Sequence, residues 1–196
     1  MSYYTGTVVE TLYSSTAAGA TLSSWTTETL LNSTATMGVQ ANIPPNFWFP
    51  NNNQPGRGIR VTARGILSTT SSGPAYTFNL RGGATNNTST TPILGGTAAN
   101  TIAANLTNVI WEFTVDMFLQ SIAATGANST IRSVGTLTIG GLTASAWPIW
   151  GGGASPGTVA TVDTSIVNYL NLTATSNASN ASNAVTLSQL LVFGLN

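Results

Sequence analysis

The sequence predicts an all-β chain: an antiparallel β-sandwich of jelly-roll type with about eight or nine strands. Three observations carry this. Apolar and polar residues alternate at period two over several runs, the signature of a sheet with one buried face. Gly, Pro, Asn and Ser cluster between those runs, where turn chemistry belongs. No stretch keeps helical spacing beyond a turn or two. The 196 residues are read as one domain, 1–196.

Residues 1–13 read as an N-terminal arm or edge strand, with Tyr4, Val8 and Leu12 apolar. Residues 14–24 are small and polar, a loop. Trp25 to Leu31 (WTTETLL) reads as a second strand. Met37 to Pro55 contains IPPNFWFPNNNQPG, whose prolines cannot donate to a ladder and disfavour helix. Inside that turn region Phe47, Trp48 and Phe49 form an aromatic knot, either a plug at one end of the core or a contact with another subunit.

The best-defined stretch is Gly56 to Gly83, read as two strands of a hairpin joined by a Ser/Thr/Gly/Pro turn. In the first, Ile59, Val61, Ala63, Gly65 and Leu67 alternate with Arg60, Thr62, Arg64, Ile66 and Ser68. In the second, Tyr76, Phe78 and Leu80 alternate with Thr77, Asn79 and Arg81. Residues 82–105 read as a long loop, a candidate partner-contacting surface because such loops are often functional. Leu106 to Leu119 is the strongest single strand. Val109, Trp111, Phe113, Val115 and Met117 share one of its faces, with Ile110, Glu112, Thr114 and Asp116 on the other. Ile131 to Ile139 is a further strand. Thr143 to Thr158, Pro/Gly-rich and holding Trp147 and Trp150, reads as irregular. Ser165 to Thr175 and Ala184 to Leu195 close the chain, separated by the turn-forming SNASNASNA.

Charge is scarce. Five arginines face three glutamates and two aspartates, with no lysine, for a net charge of zero and 5% charged residues. An ordinary soluble domain carries roughly 25%. The chain is not disordered by composition, because 42% of it is apolar. A neutral surface supplies no field for phosphates, so nucleic acid and anionic membranes are not expected partners. It also gives little repulsion between copies, which points to life in an assembly. No apolar stretch approaches the length of a membrane span. The start, MSYYTGTVVE, lacks the pattern of a signal peptide, so synthesis in a cytoplasm is expected.

Composition also restricts chemistry. Without His or Cys, zinc and iron sites lose their usual ligands. Ser-His-Asp and Cys-His arrangements are impossible, and no Lys is present for Schiff-base chemistry. Glu112 and Asp116 share a strand face, but four residues of strand separate them by about 13 Å. Glycosidase pairs need about 5–9.5 Å. No catalytic residue, metal site or cofactor is assigned. The candidate contact residues are Phe47, Trp48, Phe49, Arg57, Arg60, Arg64, Arg81, Trp147 and Trp150. The arginines either grip an acidic partner or pair with the few carboxylates of the chain. Arg in place of Lys favours an interface, because the planar guanidinium suits bidentate pairs. Trp147, Trp150 and Tyr76 either line a sugar site or serve core and interface.

Two blocks carry a family resemblance. IPPNFWFPNNNQPGRGIRVTARGILSTTSSGPAYTFNLRGG and the final VDTSIVNYLNLTATSNASNASNAVTLSQLLVFGLN resemble jelly-roll virion proteins of tailed bacteriophages, of the head-surface decoration or head-fibre type. The shared features are a Pro/aromatic turn leading through Gly-Arg into "R-V-x-A-x-G", then "T-F-x-L-R-x-G", and a closing "V-T-L-x-Q-L-L-V" strand. The SNASNASNA linker and the Trp-rich Gly loop depart from that pattern. The resemblance implies a homotrimer of jelly rolls bound to a major capsid protein or another virion component, with no enzymatic activity. The alternative expectation is a receptor- or carbohydrate-binding module of a tail fibre or surface appendage.

Overall fold

The computed structural model describes residues 9–48, 57–86, 91–123, 128–140, 146–152 and 158–195. Phe49 and the first eight residues lie outside the described residues. In chain order the elements begin with β1 (Val9–Ser15), β2 (Leu22–Ser23), β3 (Thr29–Leu30), one helical turn α1 (Thr34–Met37) and β4 (Asn42–Ile43). The long strands start with β5 (Gly58–Ser68) and β6 (Ala75–Gly83), followed by the short β7 (Ile93–Gly96) and β8 (Asn100–Thr101). Then come β9 (Val109–Ser121), β10 (Ser129–Ile139), β11 (Ala146–Trp150), β12 (Ala160–Val162), β13 (Asn168–Ser176) and β14 (Ala184–Leu195). Eight of these strands are five residues or longer, which is the number the alternation anticipates. No helix among the described residues is long and apolar enough to cross a membrane.

All pairings among the described residues are antiparallel, in the order β1-β14-β5-β9-β10-β11-β7-β6-β13-β3. The path folds over at β11 and β7, which share the single pair Trp150↔Gly96. Two layers result. Their inner faces meet where Phe78 of β6 packs on Trp111 of β9, ring centroids 5.2 Å apart. Gly95 of β7 lies so close to the other strands that a Cβ there would sit 3.0 Å from Val115 and 3.1 Å from Ile149, and both would have to give way slightly. The core is the inward phase of each alternation: Ile59, Val61 and Ala63, then Trp111, Phe113, Val115 and Met117, against Tyr76, Phe78 and Leu80 with Leu170 and Leu172.

The hairpin expected at Gly56 to Gly83 is not formed. β5 pairs with β14 and β9, while β6 pairs with β13, β7 and β8 in the other layer. Alternation sets which face a strand buries and says nothing about its neighbour. The nested pairing of β5 with β14 and of β6 with β13 is how a jelly roll is wound. Both links therefore cross between layers at one end of the sandwich, and the Asn-rich linker clamps them. Asn183 accepts from the Thr70 amide at 3.0 Å and Asn177 from the Ala75 amide at 2.8 Å.

Other expectations are also corrected. Trp25 to Leu31 is not a strand: Ser24 takes a left-handed φ of 53°, and only Thr29–Leu30 pairs with β13. The 14–24 loop holds β2, which pairs with the start of β14. Residues 82–105 are not structureless. They supply β7 and β8 and bury Leu94 and Ile102. The stretch expected to be irregular around Trp147 contains β11, in register with β10 through Pro148↔Thr136. Pro148 fits because β11 meets its other neighbour only at Trp150. Residues 9–15 do form an edge strand, paired along β14.

Candidate functional site

The layer β1-β14-β5-β9-β10-β11 turns a second face outward, and the polar phase of β5 and β9 falls on it. Directly opposed residues share a face, so the register places Arg60 against Asp116, Thr62 against Thr114, Arg64 against Glu112 and Ile66 against Ile110. The result is a ladder with a basic column on β5 and an acidic column on β9. Arg60 grips Asp116 with two bonds of 2.6 Å, the bidentate geometry that a guanidinium favours. The bonded carboxylate raises the Arg60 pKa, first through these hydrogen bonds and then through its charge. Arg64 donates to Glu112 at 2.5 Å and reaches Gln189 of β14 at 3.3 Å. All four side chains remain between 35% and 50% exposed. The reading in which the arginines pair with the few carboxylates of the chain describes this geometry.

Apolar side chains surround the ladder. Ile110, Val134, Phe118, Ile66 and Val9 stay exposed, and pairing puts each on this face: Val134 opposite Asp116, Phe118 opposite Gly58, Val9 opposite Leu195. Leu191 and Phe193 of β14 stand beside Thr62 and Arg60, half-buried. Arg132 occupies the corner opposite Phe118. Ile66, Ile110 and Phe118 sit in the polar phase of their own strands, and that misplacement was the signal visible in the sequence.

The remaining candidates separate. Phe47 and Trp48 are buried in the core, so they plug the sandwich and offer no free surface. The Arg57 guanidinium lies 4.8 Å above the Phe47 ring and 3.6 Å from Glu10, tying the entry of β5 to β1. The Trp48 indole nitrogen and the Arg57 Nε have no hydrogen-bond partner among the described residues. Trp147 pairs with the inward Leu137 and Trp150 with the outward Val134. Three residues apart on a strand, they point to opposite faces and cannot form one stacking platform. Tyr76 lies wholly in the core, and burial pushes its phenol pKa far up. Arg81 faces outward on the other layer, where it holds Glu28.

On that other outer face Asn79, Asn171 and Thr173 are buried. Residues 28–43 run along β13, with β3 and β4 pairing at its two ends. Between them the Asn32 amide takes a strand's place, donating to the Leu170 carbonyl at 2.9 Å and accepting from the Leu172 amide at 2.8 Å. Arg81 grips Glu28 through two bonds of 2.7 Å and donates to the Thr91 carbonyl at 2.6 Å. Thr173 donates to the same carboxylate at 2.5 Å. Burial raises the Glu28 pKa, but Arg81, Thr173 and Asn79 together outweigh it and hold the carboxyl below 4.5. Glu28 and Asn32 carried no local signal, because their partners are far away in the chain.

A third feature is an open groove of about 700 Å3 at the crossover end, lined by Ser and Thr hydroxyls with Asn105 and Asn180. Asn105 and the neighbouring Asn108 take left-handed φ of 58° and 50°, a conformation Asn tolerates better than most residues. Backbone bonds from Asn105 to Thr70 at 2.8 Å and from Thr69 to Leu106 at 3.0 Å fix the groove wall. Its lining carries no charged residue. Among the described residues no three His, Cys, Asp or Glu come together as a metal site.

No family model matches the chain, and no curated protein matches it. Among solved structures it is similar to the CBM2 module of the evolved Dit of Lactobacillus casei BL23 phage J-1. The identity is 9% and the TM-score 0.36, over 97% of each chain. It is also similar to the marine PL-14 alginate lyase from Aplysia kurodai, at 9% identity and TM-score 0.37, over 93% of this chain and 98% of that one. Neither score reaches a shared fold, and the architecture above rests on the pairings of this chain alone.

Proposed function

We propose that this chain is a non-enzymatic virion structural protein, a capsid decoration or cement protein that binds the outer surface of a phage head as a homo-oligomer. The family resemblance of its sequence makes that oligomer a trimer and the major capsid protein its partner. The observation that carries the reading is the open ladder face, where large apolar side chains stay exposed around charges that cancel in pairs. Exposed apolar area of this kind marks interaction surfaces, and paired charges leave no field for a nucleic acid or an anionic membrane. Glu112 and Asp116, the carboxylates closest to a catalytic pair, are engaged by Arg64 and Arg60.

The groove favours a second reading, a receptor- or carbohydrate-binding module. Uncharged hydroxyls and amides on a fixed wall suit a neutral, hydroxyl-rich ligand. One experiment separates the two: the copy number of the chain relative to the major shell protein in purified particles, with glycan binding measured on the same preparation. Copies comparable to the shell protein, without glycan binding, are expected. A few copies together with glycan binding that Asn105→Ala abolishes would move the protein to a tail or fibre. Absence from particles overturns the virion reading.

A further inference from the structure

We infer that copies of this chain assemble through the ladder face, about an axis running along β5 and β9. Among the described residues seven large apolar side chains are exposed, and five of them (Val9, Ile66, Ile110, Phe118 and Val134) lie on this face. On the second outer face the outward Asn79, Asn171 and Thr173 are already buried, bonded to Glu28 and Gln40 of the segment that runs along the β13 edge. The first has no such segment within the described chain.

The charge pattern identifies the occupant. Each level of the ladder holds one arginine and one carboxylate, Arg60 with Asp116 and Arg64 with Glu112, always with the arginine on β5 and the acid on β9. A rotation about an axis along the strands carries each level onto itself. It also sets the β5 side of one copy against the β9 side of the next. Arg60 and Arg64 then each meet a carboxylate of the neighbour, whether two or three copies close the ring. A foreign partner would have to supply the same alternation at the same spacing, whereas a second copy supplies it by symmetry. The two ladder pairs cancel, and the chain as a whole has no net charge, so copies approach without long-range repulsion. Ile66 with Ile110 at one end and Phe118 with Val134 at the other provide the apolar contact.

The inference shares the oligomer with the proposed function but not the virion, so the two can fail separately. The test is the mass of the purified chain in solution, by sedimentation and light scattering. Wild type is expected as a defined oligomer. Arg60→Asp combined with Arg64→Glu makes both columns of the ladder acidic and should raise the dissociation constant at least about 100-fold, since like charges facing each other across an interface are costly. Adding Asp116→Arg and Glu112→Arg inverts the ladder and should restore the oligomer, which mere damage to the fold would not do. Ile110→Lys should give a folded monomer by circular dichroism. A monomeric wild type, or an acidic-face variant that stays assembled, overturns the inference. A monomer in solution that is abundant in particles would leave the virion reading standing.

Discussion

The two outer faces of the sandwich use the same chemistry to opposite ends. On one, Arg60 and Arg64 meet Asp116 and Glu112 in the open, with side chains 35–50% exposed. On the other, Arg81 meets Glu28 beneath a covering segment, at 15% and 22% exposure. Geometry does not distinguish them, because Arg60 and Arg81 both make bidentate bonds of 2.6–2.7 Å. Solvent does. Exposed ion pairs contribute roughly 0–1 kcal/mol, while breaking a pair withdrawn from water leaves a charge without compensation. The covered pair therefore fastens residues 28–43 to the sheet. The open pairs add little to the fold and serve to make a sticky face electrically silent.

Three measurements bear on that contrast. The largest effect is expected from Arg81→Ala, which strands the Glu28 carboxylate under its cover. It should cost about 2–4 kcal/mol in urea unfolding, somewhat below the loss for a fully buried pair. A loss no greater than that of an exposed pair would erase the distinction between the faces.

A smaller effect is expected from pH. Glu28 is held below its ordinary 4.5 in the folded state, so its contribution is fully present above that value and disappears as pH falls through the folded pKa. Wild type should thus be more stable than Glu28→Gln at pH 7, and the gap should narrow in acid. Thermal melts of both proteins from pH 7 to pH 3 would show it. Parallel curves would mean that Glu28 does not carry the linkage.

The smallest change is expected from Arg64→Ala, measured in the Ile110→Lys background so that assembly does not enter. Its unfolding free energy should shift by less than about 1 kcal/mol. A larger shift would assign the open ladder a role in folding.

Much of the open face was legible in the sequence. The alternation over β5 and β9 put Arg60, Arg64, Glu112 and Asp116 in the outward phase, and the burial of Ile59, Val61, Trp111 and Phe113 follows it residue by residue. The closing strand Ala184–Leu195 has the bounds read from its pattern. The covered face was not legible. Thr77, Asn79 and Arg81 alternate with core residues just as the outward residues of β5 do, yet the Arg81 side chain is 15% exposed where those of Arg60 and Arg64 are 47% and 50%. A polar phase records only that a side chain needs hydrogen-bond partners. Asp116, Glu112 and solvent supply them on one face, and Glu28 and Gln40 of the segment along β13 supply them on the other.

What the sequence determined by itself is local: the strands, the buried phase of each, the scarcity of charge and the turns between. A period of two is a property of one strand and survives whatever that strand pairs with. What only the tertiary structure decided is non-local. β5 and β6 part company into different layers, residues 146–150 become a strand by pairing with β10, and the arginine and acidic columns come into register only because β5 lies beside β9. Those outcomes depend on which strands meet across long stretches of chain, and that choice is settled by the packing of two sheets around one core.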